Sequence, residues 1–160
     1  MGMTTPELKI GNHAVMIRRA VDSELNWCAE QMASTDPWHR YKCSVSWCTN
    51  VLKWPGSFLF VADAGRPIGF ILLHSKGFLG SPYIAAVVIA EEYRERGIGT
   101  GMLHFAETVF AQERHVYLCV SSFNAGAFAL YQRHGFIKIG ELPDFIADGH
   151  SEFLMCKRLR

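Results

Sequence analysis

Two segments carry residue types suited to chemistry. The first, Arg94-Glu95-Arg96-Gly97-Ile98-Gly99-Thr100-Gly101, sets glycines at alternate positions just where an apolar helical period begins. The first N–H groups of a helix have no partner within it, glycines leave them unshielded, and the helix dipole adds attraction, so an anion such as phosphate or pyrophosphate is expected here. A dinucleotide fingerprint would need glycine where Met102 stands, and a Walker loop would need Gly-Lys-Ser/Thr, so neither applies. The same glycines also suit a plain tight turn. The second segment, about thirty residues on, is Asn124-Ala-Gly-Ala-Phe-Ala-Leu130-Tyr131-Gln-Arg-His-Gly135-Phe136. It puts Asn at a helix start, Tyr on the second turn and Gly at the helix end before a strand. Capping alone would explain Asn124, and core packing alone would explain Tyr131.

The elements that must hold these segments follow from periodicity. Residues 1–10 read as a flexible leader and 11–160 as one domain. Ala14 to Arg19 is β-like, Asp22 is a candidate N-cap for a helix bearing Leu25, Ala29 and Met32, and a second helix is expected from His39 to Leu52. Ser57 to Asp63 and Pro67 to His74 form a hairpin around Ala64-Gly65-Arg66, followed by a loop over Gly77 to Gly80. Tyr83 to Ile89 is apolar on both parities, as in a strand covered on both faces. A helix then runs from Gly97 to Gln112, a strand from His115 to Ser121, a helix from Asn124 to His134, and strands at Phe136 to Glu141 and Ser151 to Lys157. The order β α α β β β α β α β β does not alternate as in a doubly wound fold. It predicts an α/β (α+β) protein with a mixed, mostly antiparallel sheet, a central parallel β-α-β unit and flanking helices.

The paired segments, R-x-x-G-x-G and Asn124 to Phe136, closely resemble the GNAT superfamily of acyl-CoA-dependent N-acyltransferases. The resemblance covers about Phe58 to Lys157 well and the N-terminal helices loosely. It implies acetyl-CoA as co-substrate and an amine as acceptor. By position, Val87, Val88 and Ile89 would offer backbone hydrogen bonds to the pantetheine arm, and Arg94, Glu95, Arg96, Gly97, Ile98 and Gly99 would hold the pyrophosphate. Strands 83–89 and 115–121 would splay to admit the thioester, Asn124 would bond the arm, and Tyr131 would be the general acid at the leaving thiolate. Tyr83 matches a tyrosine that some N-terminal acetyltransferases use near the acceptor amine. A homodimer is compatible with the resemblance.

One departure bears on mechanism. Where relatives carry Glu or His five residues before the motif Asn, this chain has Cys119. Alternation along HVYLCVS sets Cys119 on the acceptor side, but a neutral thiol of pKa ~8.5 is a poor base and often a small apolar filler. Without the usual base, an α-amine is expected as acceptor in preference to lysine. Trp27, Trp38, Trp47 and Trp54 all fall in the region that lines much of the acceptor pocket in the family, with Trp38 assigned to the acceptor side. They could equally dock the two helices on the sheet. An acyl-CoA-binding sensor without turnover, and more remotely a phosphate-binding domain, stand as rival readings.

Composition excludes other classes. The 160 residues are 49% apolar and 19% charged, with 16 Lys+Arg against 15 Asp+Glu, so disorder is not expected and no strong field gathers nucleic acid or an anionic membrane. Five cysteines, Cys28, Cys43, Cys48, Cys119 and Cys156, contain no C-x-x-C pair and suit a reducing cytoplasm. The seven histidines show no metal-binding spacing, so no metal is predicted, and His104 and Glu107 read as solvent-facing helix residues.

Overall fold

A computed structural model describes residues 7–10 and 13–160. Its strands are β1 (Glu7–Ile10), β2 (His13–Arg19), β3 (Ser57–Asp63), β4 (Pro67–Phe78), β5 (Ser81–Ile89), β6 (His115–Ser121), β7 (Ile137–Pro143) and β8 (Ser151–Arg158). They form one sheet in the order β1-β2-β3-β4-β5-β6-β8-β7. Among the described residues only β5 and β6 pair in parallel, as expected for a β-α-β crossover. The helices are α1 (Leu25–Ala33), α2 (Val45–Leu52), α3 (Ile98–Val109) and α4 (Ala125–Arg133). Among the described residues no helix is long and apolar enough to cross a membrane.

Alternating side chains divide the core into two layers. Phe60, Ala62, Ile71, Leu73, Val116, Leu118 and Val120 face α3, whose stripe Ile98, Met102, Phe105 and Ala106 is buried against them. Val61, Phe70 and Leu72 point the other way, against Cys28, Ala29 and Met32 of α1 and Cys48 and Leu52 of α2. Phe70 is fully buried, and cutting it back to alanine would cost ~3–5 kcal/mol. The β2, β3 and α1 ends are pinned by Arg18, which donates to Asp63 at 2.8 Å and pairs with Glu24 at 2.6 Å.

Several expectations need correction. Residues 7–10, expected within the leader, form β1 and pair antiparallel with β2, while residues 1–6 lie outside the described residues. Asp22 does not cap α1; the Glu24 carboxylate instead accepts from the Val21 N–H at 2.9 Å. The second helix starts at Val45, because Ser44 caps it by accepting from Trp47 N at 3.0 Å and residues 36–42 turn instead. The loop expected at Gly77 to Gly80 is half strand: β4 continues to Phe78 and turns at Leu79 and Gly80, which have positive φ.

A register shift in β5 sets up everything that follows. Leu72 pairs with Ala86 and Leu73 with Ile84, so Ala85 is an extra residue opposite β4. Such a bulge leaves one residue unpaired and inverts the alternation beyond it. Ile84, Val87 and Ile89 therefore face the α3 layer, while Ala86 and Val88 face α1 and α2.

Candidate active site

Gly97 adopts φ +83° and Glu95 φ +60°, turning the chain sharply from the short 3-10 turn after β5 into α3. No atom lies within 4 Å of where a Gly97 Cβ would be. The first bond back along α3 is Gly101 N–H to the Gly97 carbonyl at 3.0 Å. The N–H groups of Ile98, Gly99 and Thr100 have no acceptor among the described residues. They open on a cleft of about 660 Å³ lined by Ile89, Glu95, Gly97, Gly99, Leu130 and Arg133, among others. An anion fits here on chemistry: orphaned amides, a helix N-terminus and the cationic Arg133 converge. The Arg94 guanidinium also borders the cleft, donating to the Ile89 carbonyl at 3.0 Å and to Thr35 at 3.3 Å. Arg96 stands instead over the Tyr93 ring, 5.3 Å from its centroid.

Beyond the cleft the sheet opens. The parallel pairing of β5 and β6 is confined to Tyr83 with Tyr117 and Ile84 with Leu118, after which the strands diverge. Between them lies a cavity of about 60 Å³ lined by Trp38, Ala85, Val87, Cys119, Ser121, Asn124 and Tyr131, with residues of both faces on its wall. Val87 lines this opening and Ile89 the cleft beside it, whereas the Val88 side chain is buried in the α1–α2 layer. The Asn124 side chain caps α4, accepting from Ala127 N at 3.3 Å. The Tyr131 hydroxyl has no protein partner among the described residues, and burial pushes its pKa up to about 12.

The face toward α1 and α2 holds a second polar group. Tyr83 lies there, beside the Cys119 thiol, and its pKa is raised chiefly by burial. Gly77 passes so close that a Cβ would sit 2.5 Å from Tyr83 Cβ, so only glycine lets β4 back this ring. His74 pairs across from Tyr83, and its Nε2 is buried without a partner. Burial pushes the Cys119 thiol up as well, so it remains a neutral thiol at pH 7.

The sequence reading missed Glu152. It is 4% exposed, and its Oε1 accepts from Ser121 Oγ and from the Tyr41 hydroxyl at 2.8 Å. Ser121 and Glu152 are direct cross-strand partners on β6 and β8, as are Cys119 and Leu154. A lone Glu entering the apolar run SEFLMCKR was the available signal, but the pairing that brings it beside Cys119 spans the whole α4–β7 excursion. Trp38 reaches the small cavity, whereas Trp47 and Trp54 are exposed and Trp27 packs in the α1–α2 layer. The aromatics on this face are Trp38, Tyr41 and Tyr83, because α2 turns its one tryptophan, Trp47, outward and Trp54 lies beyond the helix.

His104, Glu107 and His134 bring possible ligand atoms within 4.8 Å of one another. Glu107 is thus part-buried rather than solvent-facing. It meets His134 Nε2 at 2.9 Å, and the Lys157 ammonium bonds the same carboxylate, so a protein cation already neutralises it.

The profile described as "Acetyltransferase (GNAT) family" matches residues 20–136. An N-alpha-acetyltransferase of Sulfolobus acidocaldarius is 29% identical over 124 residues, covering 68% of this chain and 73% of that protein. Ard1 from Thermoplasma volcanium has the same fold with TM-score 0.75 at 19% identity, covering 91% of this chain and 98% of that one. An aminoglycoside 6'-N-acetyltransferase complexed with coenzyme A gives TM-score 0.72 at 16% identity over 90% and 97% of the two chains. The chain belongs to the GNAT family of acetyltransferases. It is an N-acetyltransferase, within the acyltransferase class EC 2.3.1.

Proposed function

We propose that the protein transfers acetyl from acetyl-CoA to the free α-amine of a peptide or an amino-acid-like molecule. The observation that carries this reading is the cavity between β5 and β6, which shares Ala127 with the anion cleft and is lined on its other side by Cys119 of the polar face. In this reading the unpartnered amides of Ile98 and Gly99, at the end of the Arg94–Gly99 turn, hold the pyrophosphate. The main chain of Val87, Val88 and Ile89 bonds the pantetheine arm, and Asn124 flanks it while capping α4. The bulge at Ala85 leaves a backbone group unpaired at the cavity wall, where it polarises the thioester carbonyl. Tyr131 donates its hydroxyl to the departing sulphur. Tyr83 and Trp38 border the acceptor, and Cys119 shapes the pocket as a neutral thiol. A binding module without turnover would have no use for an unbonded tyrosine hydroxyl at that gap. Five free thiols support a reducing, cytoplasmic setting.

The α-amine is supported by the archaeal relative being an N-alpha-acetyltransferase and by proton arithmetic. A lysine amine of pKa ~10.4 costs ~4 kcal/mol to deprotonate near neutrality, whereas an α-amine of pKa ~7.7–8.0 costs under ~1 kcal/mol. The test compares kcat/KM for a peptide with a free N-terminus and for the same peptide blocked there but carrying lysine, from pH 6.5 to 9. The free peptide is expected to react faster at neutral pH. Faster turnover of the blocked lysine peptide would reject the α-amine.

A further inference from the structure

We propose that Glu152 is the anchor for the acceptor's ammonium and the group that takes its first proton. The inference rests on the amine-acetylating reading above and deepens it. Glu152 is buried on the acceptor face, one strand pair from Cys119, where a linear reading finds no carboxylate. Both hydroxyl donors, Ser121 and Tyr41, converge on Oε1. Oε2 receives no hydrogen bond among the described residues. It is not sealed away either: the buried side-chain polar atom left without any partner among those residues is His74 Nε2, since His134 Nε2 lies 2.9 Å from Glu107.

A buried carboxylate is normally paired with a cation, because an uncompensated charge away from water is costly. No Lys, Arg or His lies within ion-pair distance of Glu152 among the described residues. The nearby cations are committed elsewhere: Arg40 to Asp36 at 3.7 Å and Lys138 to Glu141 at 3.0 Å. The groups that do face Glu152 or its donors are Tyr83, Cys119, Tyr41 and, against the Tyr41 ring, His150 and Phe123. This pocket offers one negative charge, hydroxyls that fix its orientation and aromatic walls. A primary ammonium attached to an apolar or aromatic group has the complementary chemistry.

The step balances as follows. Oε2 takes one proton from the ammonium, and the nitrogen lone pair forms the new bond to the acetyl carbon. The carbon–sulphur bond breaks, and the second proton lost by the nitrogen passes to the departing sulphur, which the Tyr131 hydroxyl holds. Glu152 then returns its proton to solvent.

The test uses the whole protein saturated with CoA, titrated calorimetrically with phenylalaninamide and with N-acetylphenylalaninamide. The two probes differ in the charged amine. Wild type is expected to bind the ammonium at least tenfold more tightly, and Glu152→Gln, which keeps an oxygen for both hydroxyls, to erase that preference with CoA affinity and Tm unchanged. Equal affinities in wild type overturn the proposal without any variant. A preference that survives in Glu152→Gln overturns it too, as does loss of CoA binding in that variant, which would make Glu152 a folding residue. Glu152→Asp keeps the charge and is expected to keep the preference while lowering kcat/KM for the amine. Turnover of phenylalaninamide by acetyl-CoA is followed separately. Ammonium binding through Glu152 without turnover would sink the acetyl-transfer reading and leave the anchor standing, whereas turnover with no ammonium preference would do the reverse.

Discussion

Replacing Tyr131 with phenylalanine removes one hydroxyl and leaves the ring that packs against Phe136. The size of the effect depends on what the hydroxyl does. Its pKa of about 12 lies ~3.5 units above that of an ordinary thiol at ~8.5, so full transfer of its proton to a thiolate is uphill by ~5 kcal/mol. A hydrogen bond donated to the developing charge has no such cost, and bonds to charged groups are worth ~1.5–3 kcal/mol. Tyr131→Phe is therefore expected to lower kcat by ~10- to 150-fold, below the upper end of the ~10²–10⁴ range of a true general acid. The assay is single-turnover release of the CoA thiol from enzyme preloaded with acetyl-CoA, with the acetyl-CoA Kd measured in parallel and expected to stay within threefold. An unchanged single-turnover rate would assign Tyr131 to packing. A loss beyond a thousandfold would show that the proton is transferred outright and that the donor argument is wrong.

Gly99→Asp places a carboxylate over the orphaned amides, while its Cβ would meet only Leu130 Cδ2 at 3.4 Å, an ordinary contact. The fold should survive, and CoA affinity measured calorimetrically should fall by about 100-fold or more, since opposed like charges cost several kcal/mol; wild-type affinity would misplace the pyrophosphate. Burial lowers the pKa of His74 below 6.5, so the unfolded chain takes up the proton first and stability, complete above pH 6.5, is lost as pH falls below it. His74→Gln does not titrate, and its Tm should drop less between pH 7.5 and 5 than that of wild type; parallel curves would remove His74 from the acid response.

The parts of the fold written in local chemistry were legible in the sequence. Gly97 and Gly99 announce a bare helix start, Asn124 a cap and Gly135, with φ +93°, a helix end. The alternation in HVYLCVS separates Cys119 from Val116, Leu118 and Val120, as in the structure, because β6 pairs with β8 without a register shift. The bulge at Ala85 was hidden, since a run apolar on both parities looks the same whichever way its phase shifts. Tyr41 was assigned to a helix because nothing in the composition of residues 39–44 opposes one, and only the cap at Ser44 delays it. Glu152 was out of reach for a different reason. Its role depends on β8 pairing with β6 instead of ending the sheet, and cross-strand neighbours distant in sequence leave no local trace.

The splay between β5 and β6 turns the sheet into a wall with one window. In the proposed reading coenzyme and acceptor approach from opposite sides, and only the few atoms that react need meet in the opening, whose wall Tyr131 and Cys119 share. Each side therefore answers to its own residues. On that reading, changes at Tyr41, Trp38 or Tyr83 would reshape which amine is admitted without touching the glycine turn proposed to hold the nucleotide.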